Sequence, residues 1–262
     1  MKWSLIPLNF ASYLEANFMR LKDNKILITG ATAGIGEALL NKFLSLDNQV
    51  IALGRNEHKL NELAQKDKRI IPFTCDISKS EELDDLIIFL EQNHPDTNIL
   101  INNAGIQYNY HFEDEPQLMG KIEHEINVNL IAPLKLIALL LPILKENDNA
   151  SIINVSSGLG LVPKKQAPVY CGTKAGIHIF SKSLRYQLNH IKVFEIIPPL
   201  VDTQMTEGRG RGKISPKQLV DEFIAAFKRD RYEVNIGKVK LLKFLNRWFP
   251  SLAESIMKKG GE

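Results

Sequence analysis

"KILITGATAGIGEALL", residues 25–40, is the stretch that decides the fold. It opens with the apolar run 25–29, whose unbroken hydrophobicity suits a strand buried on both faces. It then passes through Gly30, Gly34 and Gly36 into a helical apolar pattern over 34–46. Glycines at such a turn let the backbone reverse tightly and approach a pyrophosphate, which then faces the unpaired N–H groups of the helix. The spacing is G-x-x-x-G-x-G rather than G-x-G-x-x-G, and an ordinary glycine-rich turn is the alternative. Its place after the first strand of a strand–helix unit favours the dinucleotide reading.

Outward from this stretch the alternation repeats. Further strands are expected at 49–53, 69–74, 98–102, 151–156, 192–198 and 232–237. Helices are expected at 57–66, 80–93, 115–146 (as two helices), 170–189 and 215–229. Strand then helix, repeated, predicts an α/β fold with a doubly wound, seven-stranded parallel sheet and helices on both faces. No Pro-, Gly- or Ser-rich linker divides the chain. One dinucleotide-binding domain is therefore expected over 23–237, with an N-terminal arm at 1–22 and an amphipathic tail at 238–262 packed on the same domain. Met19 is an alternative natural start.

Composition narrows the function. With 44% hydrophobic and 24% charged residues, the chain has the material for a soluble core. A formal charge of +3 is too small to suggest a nucleic-acid partner. Cys75 and Cys171 give no disulfide framework, and the six histidines lack metal-ligand spacing, so no metal site is expected. The opening "MKWSLIPLNFASYLEANFMR" is interrupted by Asn9, Ser12 and Glu15, with no signal-peptide cleavage pattern. No later segment offers ~18 uncharged residues in a row. A cytoplasmic protein without membrane association is the expectation.

In a parallel sheet of this kind ligands bind beyond the carboxyl ends of the strands. After the second strand stand Gly54 and Arg55, with no acid before Glu57. An acid there would hold a ribose hydroxyl, whereas an arginine can pair with a 2′-phosphate, so NADP(H) is expected over NAD(H). After the third strand Asp76 either meets the adenine amino group or serves as a helix cap. After the fourth comes "NNAGIQ", 102–107, small enough to lie against a cofactor or to be a simple Asn-rich turn. Asn129, in an otherwise apolar helical stretch, needs a structural hydrogen bond or a water to hold. After the fifth come Ser156 and Ser157, and after the sixth "PPLVDT", 198–203. Tyr170 and Lys174 share a helix face one turn apart, and an ammonium beside a phenol favours the phenolate. A lowered tyrosine pKa is expected, which makes Tyr170 an acid/base near neutrality. Alone, such a pair is a weak signal and usually just a solvated helix face.

Together, T-G-x-x-x-G-x-G, N-N-A-G, the helix asparagine, S-S followed by Y-x-x-x-K, and P-x-x-V-x-T resemble the short-chain dehydrogenase/reductase family in its single-domain Rossmann form, over about residues 23–237. Within it, "NNAGIQ" and "PVYCGTKAG" look like the bacterial DltE-like oxidoreductases. The resemblance implies Tyr170 as proton donor/acceptor and Lys174 as the ribose-binding lysine. It implies Ser157 as the hydrogen-bond donor to the substrate oxygen and Asn129 as holder of a relay water. Gly30, Gly34 and Gly36, with Ile35 between the last two, match the pyrophosphate turn, Asp76 and Ile77 the adenine contacts. Asn103, Ala104 and Gly105 match the stretch beside the adenosine ribose, Val201 and Thr203 the nicotinamide carboxamide contacts. Pro199 departs from the family's usual glycine and removes an N–H.

The expected activity is hydride transfer between NADP(H) and a carbonyl/alcohol substrate. A non-catalytic dinucleotide-binding regulatory or envelope-associated protein is the alternative. Arg209, Arg211 and Lys213 either hold an anionic substrate or are solvated charges of a Gly-rich loop. In the tail Leu241, Leu242, Leu245, Trp248, Phe249 and Leu252 recur at helical spacing, which suits a core or subunit cap, with a membrane-surface helix as the lesser alternative. Surplus apolar residues over 126–146 and 170–189 predict a homodimer or homotetramer, since the family pairs these helices across a two-fold axis.

Overall fold

A computed structural model describes residues 18–259. Seven parallel strands form one sheet in the order β3-β2-β1-β4-β5-β6-β7. They are β1 Lys25–Thr29, β2 Gln49–Gly54, β3 Ile70–Thr74, β4 Ile99–Asn102, β5 Ser151–Val155, β6 Lys192–Ile197 and β7 Glu233–Asn235. The order reverses between β1 and β4, which opens a crevice at the carboxyl edge there.

Helices α1 (Gly34–Leu44), α2 (Glu57–Lys66) and α7 (Pro216–Phe227) cover one face. Ile26 and Ile28 of β1 point to that face, and Leu27 to the other, as the two-residue period of a strand requires. The second face is covered by α3 (Ser80–Asn93), α5 (Ala132–Lys145) and α6 (Pro168–Gln187). Phe227 anchors the first layer, with ring centroids 4.7 Å from Phe194 and 5.3 Å from Phe223. All three rings are fully buried, so truncating Phe227 to alanine would cost about 3–5 kcal/mol.

The stretch expected as two helices is one continuous run. Helix α4 (Leu118–Ile126) passes through a wide π-type turn, Asn127–Ile131, directly into α5. One extra residue in the turn lets Asn129 face inward without breaking the axis. By length and composition the run Leu118–Lys145 could cross a membrane, yet Leu136, Ile137, Leu140 and Leu144 are spent on the sheet.

Most of the expected arm lies outside the described residues. Met19 is packed into the core at 4% exposure, and its N–H donates to Asp230 Oδ1 at 3.3 Å. The tail forms α8 (Val239–Trp248) and α9 (Pro250–Lys259). Of its apolar stripe Leu242 and Leu245 are half-buried, whereas Leu241, Trp248, Phe249 and Leu252 are more than half exposed, so these four do not cap the core.

Candidate active site

The carboxyl ends of β1, β2, β4 and β5 border a cleft of about 410 Å³. Its floor is made by glycines doing two different jobs. Gly30 and Gly34 hold φ of +65° and +59°, where side chains are strained. Gly36 has ordinary backbone, but a Cβ there would stand 2.1 Å from the Gly30 carbonyl oxygen and 2.6 Å from Asn103 Nδ2. The turn is thus folded on itself so tightly that only hydrogen fits, and it leaves the start of α1 bare toward the cleft. This cradle fits a pyrophosphate.

The N-N-A-G segment locks the cradle to the next strand. Asn103 Nδ2 donates to the carbonyls of Thr29 (2.9 Å) and Gly30 (3.2 Å). The N–H groups of Asn103 and Ala104 both donate to Thr29 Oγ1 at 3.0 Å. Gly105 is small of necessity, because a Cβ would meet Asn129 Oδ1 at 3.1 Å and Lys174 Nζ at 3.5 Å.

At one end of the cleft Arg55 and Asp76 stand 3.9 Å apart, with the arginine side chain 64% exposed. Asp76 is not a helix cap: its Oδ1 accepts from Ser78 N (3.0 Å) and Ser78 Oγ (2.7 Å). Ile77, beside it, also lines the cleft. At the other end are Tyr170, Lys174 and Thr203. Val201 lies below the rim at 4% exposure, its carbonyl accepting from Thr206 Oγ1 at 2.5 Å.

Tyr170 and Lys174 come from the first turns of α6, started by Pro168 at a position where a missing N–H costs nothing. The Ser157 hydroxyl hydrogen-bonds the phenol and also accepts from Leu159 N at 3.1 Å. That serine caps a short turn, Gly158–Gly160, clamped from two sides. A Cβ on Gly160 would meet the Lys174 carbonyl carbon at 2.7 Å, and one on Gly158 would meet Val239 Cγ2 of α8 at 3.2 Å.

The expected lowering of the tyrosine pKa is not found. Burial pushes the Tyr170 phenol up to about 12, against the hydrogen bond from Ser157 and the positive charge of Arg209. Lys174 does not offset this: its Nζ lies 5.7 Å from the ring centroid and donates to the Val155 carbonyl at 2.9 Å. The same burial pushes Lys174 down to about 8, with the charge of Glu195 opposing. Desolvation outweighs pairing for both groups. Near neutral pH, therefore, the phenol carries its proton.

Asn129 makes the structural hydrogen bonds expected of a buried amide. Its Oδ1 accepts from Ile106 N and its Nδ2 donates to Ile106 O, both at 2.8 Å, so the amide pins the loop after β4. In the loop after Thr203, Lys213 pairs with Asp202 at 3.3 Å, Arg211 is exposed, and Arg209 has a buried Nη1 without a hydrogen-bond partner among the described residues. Ser156, named with Ser157 from the sequence, lines the cleft, as do Thr32 and Met205, which were not singled out. Thr32 lies within the glycine turn, so it could have been found by position. Met205 has no such signal.

Comparison with known proteins agrees with this geometry. The chain is 36% identical over 238 residues to "uncharacterized oxidoreductase DltE" of Bacillus subtilis, covering 87% of this chain and 94% of that one. It is 30% identical over 230 residues to an uncharacterized oxidoreductase of Staphylococcus epidermidis, covering 85% and 98%. Among solved structures, a short chain dehydrogenase from Burkholderia cenocepacia in complex with NADP superposes with a TM-score of 0.81 at 24% identity, over 91% of this chain and 99% of that one. A short chain dehydrogenase/reductase from Burkholderia phymatum in complex with NAD gives 0.78 at 16% identity, over 92% and 98%. The family model for short chain dehydrogenases matches residues 24–213. With its pyrophosphate cradle, its crevice at the strand reversal and these likenesses, the chain belongs to the short-chain dehydrogenase family and is a dinucleotide-dependent oxidoreductase.

Proposed function

We propose that this protein is an NADP(H)-dependent reductase or dehydrogenase acting on a small carbonyl/alcohol substrate, with Tyr170 as the acid/base. The observation that carries the reading is the convergence of Ser157, Tyr170 and Lys174 at one end of a cleft whose other end holds Arg55. The nicotinamide would supply the hydride. In the reductive direction Tyr170, protonated at neutral pH, gives its proton to the oxygen of the reduced carbonyl. The Ser157 hydroxyl donates to that oxygen as negative charge develops, a contact worth about 2.7–4 kcal/mol at comparable sites. Lys174, anchored by the Val155 carbonyl, supports the phenolate left behind and would hold a ribose hydroxyl of the cofactor.

Preference for the phosphorylated dinucleotide rests on Arg55. Its ion-pair partner among the described residues, Asp76, is 3.9 Å away, so the guanidinium is free to turn toward a 2′-phosphate. No acid between Gly54 and Glu57 competes for the ribose. Assembly as a homodimer or homotetramer belongs to the same reading. Ile131 beside α5 and Ile179 and Tyr186 on α6 are exposed at 38%, 62% and 82%, which supports a partner on that face.

The test is a panel of aldehydes, ketones and secondary alcohols followed by NADPH absorbance. Tyr170→Phe should lower turnover on any active substrate by about 10²–10⁴-fold while NADPH affinity is retained. Parent-like rates in that variant would overturn the assignment.

A further inference from the structure

Behind the candidate site lies a buried acid that the proton transfer does not use. Glu195 interrupts the apolar run of β6 and is 0% exposed. A carboxylate out of water costs several kcal/mol unless hydrogen-bonded and paired, and an apolar side chain of its shape commonly serves stability as well or better.

Its partners tie it to the site. Ser156 Oγ donates to Oε1 at 2.5 Å. His178 Nδ1 lies 3.0 Å from Oε1 and 2.9 Å from Oε2, and Arg185 Nη2 is 4.0 Å from Oε2. Ser156 lines the cleft and immediately precedes Ser157. On α6, Tyr170, Lys174 and His178 follow one another at four-residue steps, so they form one row on the helix. Lys174 is itself 5% exposed, and the atom that holds its Nζ is a neutral carbonyl. Across the sheet Glu195 is in register with Glu233 of β7, whose own charge is paired with Lys243 of α8.

We propose that Glu195 is a positioning residue: from inside the sheet it supplies the counter-charge of Lys174, and through Ser156 it anchors the end of β5 that carries Ser157. His178 and Arg185 from α6, and Glu233 with Lys243 from β7 and α8, are the charged or titratable groups around it. The proposal rests on the reading of Lys174 as a group that works as a cation. It explains how a lysine removed from water keeps its charge near neutral pH, for which Glu195 is the opposing influence.

The test follows the ¹³Cε resonance of Lys174 in the full chain labelled with ¹³C-lysine, assigned by its loss in Lys174→Met. In the parent chain the midpoint should be about 8. Glu195→Gln keeps an acceptor for Ser156 but removes the charge. The midpoint should then fall by about one pH unit or more, a tenfold loss of proton affinity. Ser156→Ala keeps the charge and should leave the midpoint in place, which separates electrostatics from a merely structural role. A parent midpoint of roughly 5–6, as for lysines buried without a counter-charge, overturns the proposal without any variant. So does an unchanged midpoint in folded Glu195→Gln. These readouts do not need turnover, so a chain inactive on every carbonyl would count against the function proposed above and not against this role.

Discussion

Lys174→Met should make the protein more stable while removing its use. The ammonium is pushed from 10.5 in an unfolded chain to about 8 in the fold. A shift of that size corresponds to about 3 kcal/mol of unfavourable burial at pH 7. The direction follows from proton counting. Between pH 8 and 10.5 the unfolded chain binds the proton and the folded chain does not, so stability rises with pH across that window and is lost as pH falls through 8. Methionine has nothing to deprotonate and escapes the penalty, but leaves the Val155 carbonyl without its donor, at about 1 kcal/mol. The net gain at pH 7 is about 2 kcal/mol, which for a chain of this size raises Tm by roughly 4–8 °C. Urea unfolding of parent and variant at pH 7 and at pH 10.5 measures it, with NADPH binding falling in the variant. A variant less stable at pH 7, with a gap that does not change toward pH 10.5, would refute the argument from burial.

Arg55→Asp should weaken NADPH binding and shift preference toward NADH, because it removes a phosphate partner and supplies a ribose acceptor; an unchanged affinity ratio in fluorescence titration would make Arg55 a surface arginine. Gly36→Ala should lower stability by about 1–3 kcal/mol and NADPH affinity with it, since its Cβ would overlap the Gly30 carbonyl at 2.1 Å. Isothermal titration and thermal melts read both effects, and a neutral outcome would mean the turn relaxes freely. Light scattering should report a multiple of the 29.6 kDa chain at micromolar concentration, whereas a monomer would remove the partner inferred for α5 and α6.

The strand–turn–helix grammar was legible because each element is written locally. The run "KILIT" with the glycines behind it gives β1, the turn and α1 without any distant information. Gly30, Gly34, Arg55, Asp76 and Tyr170 all line one cleft because a parallel sheet delivers every strand's carboxyl end to the same edge. What depends on depth was less legible. Spacing placed Tyr170 beside Lys174, but the sign of the tyrosine shift is set by how much water the fold removes, and that is not local. The π-type turn at Asn127–Ile131 hides inside a pattern whose period barely changes. Glu195 was visible as one acid within "KVFEIIP", yet its meaning needed the distances to Ser156 and His178.

The clamp on the Gly158–Gly160 turn sets an order of assembly during synthesis. Residues 25–105 can complete the pyrophosphate cradle and four adjacent strands while the rest of the chain is still being made. The serine end cannot be finished then, because one jaw of its clamp is α6 and the other is Val239, eighty-two positions after Ser157. Asn246 adds a further late tie, its Nδ2 reaching the Leu161 carbonyl at 3.3 Å. A nascent chain would thus gain its nucleotide cradle well before its substrate wall. A stop codon placed just past residue 213, where the family match ends, would leave the cradle's residues in place and take away the outer support of the reacting serine.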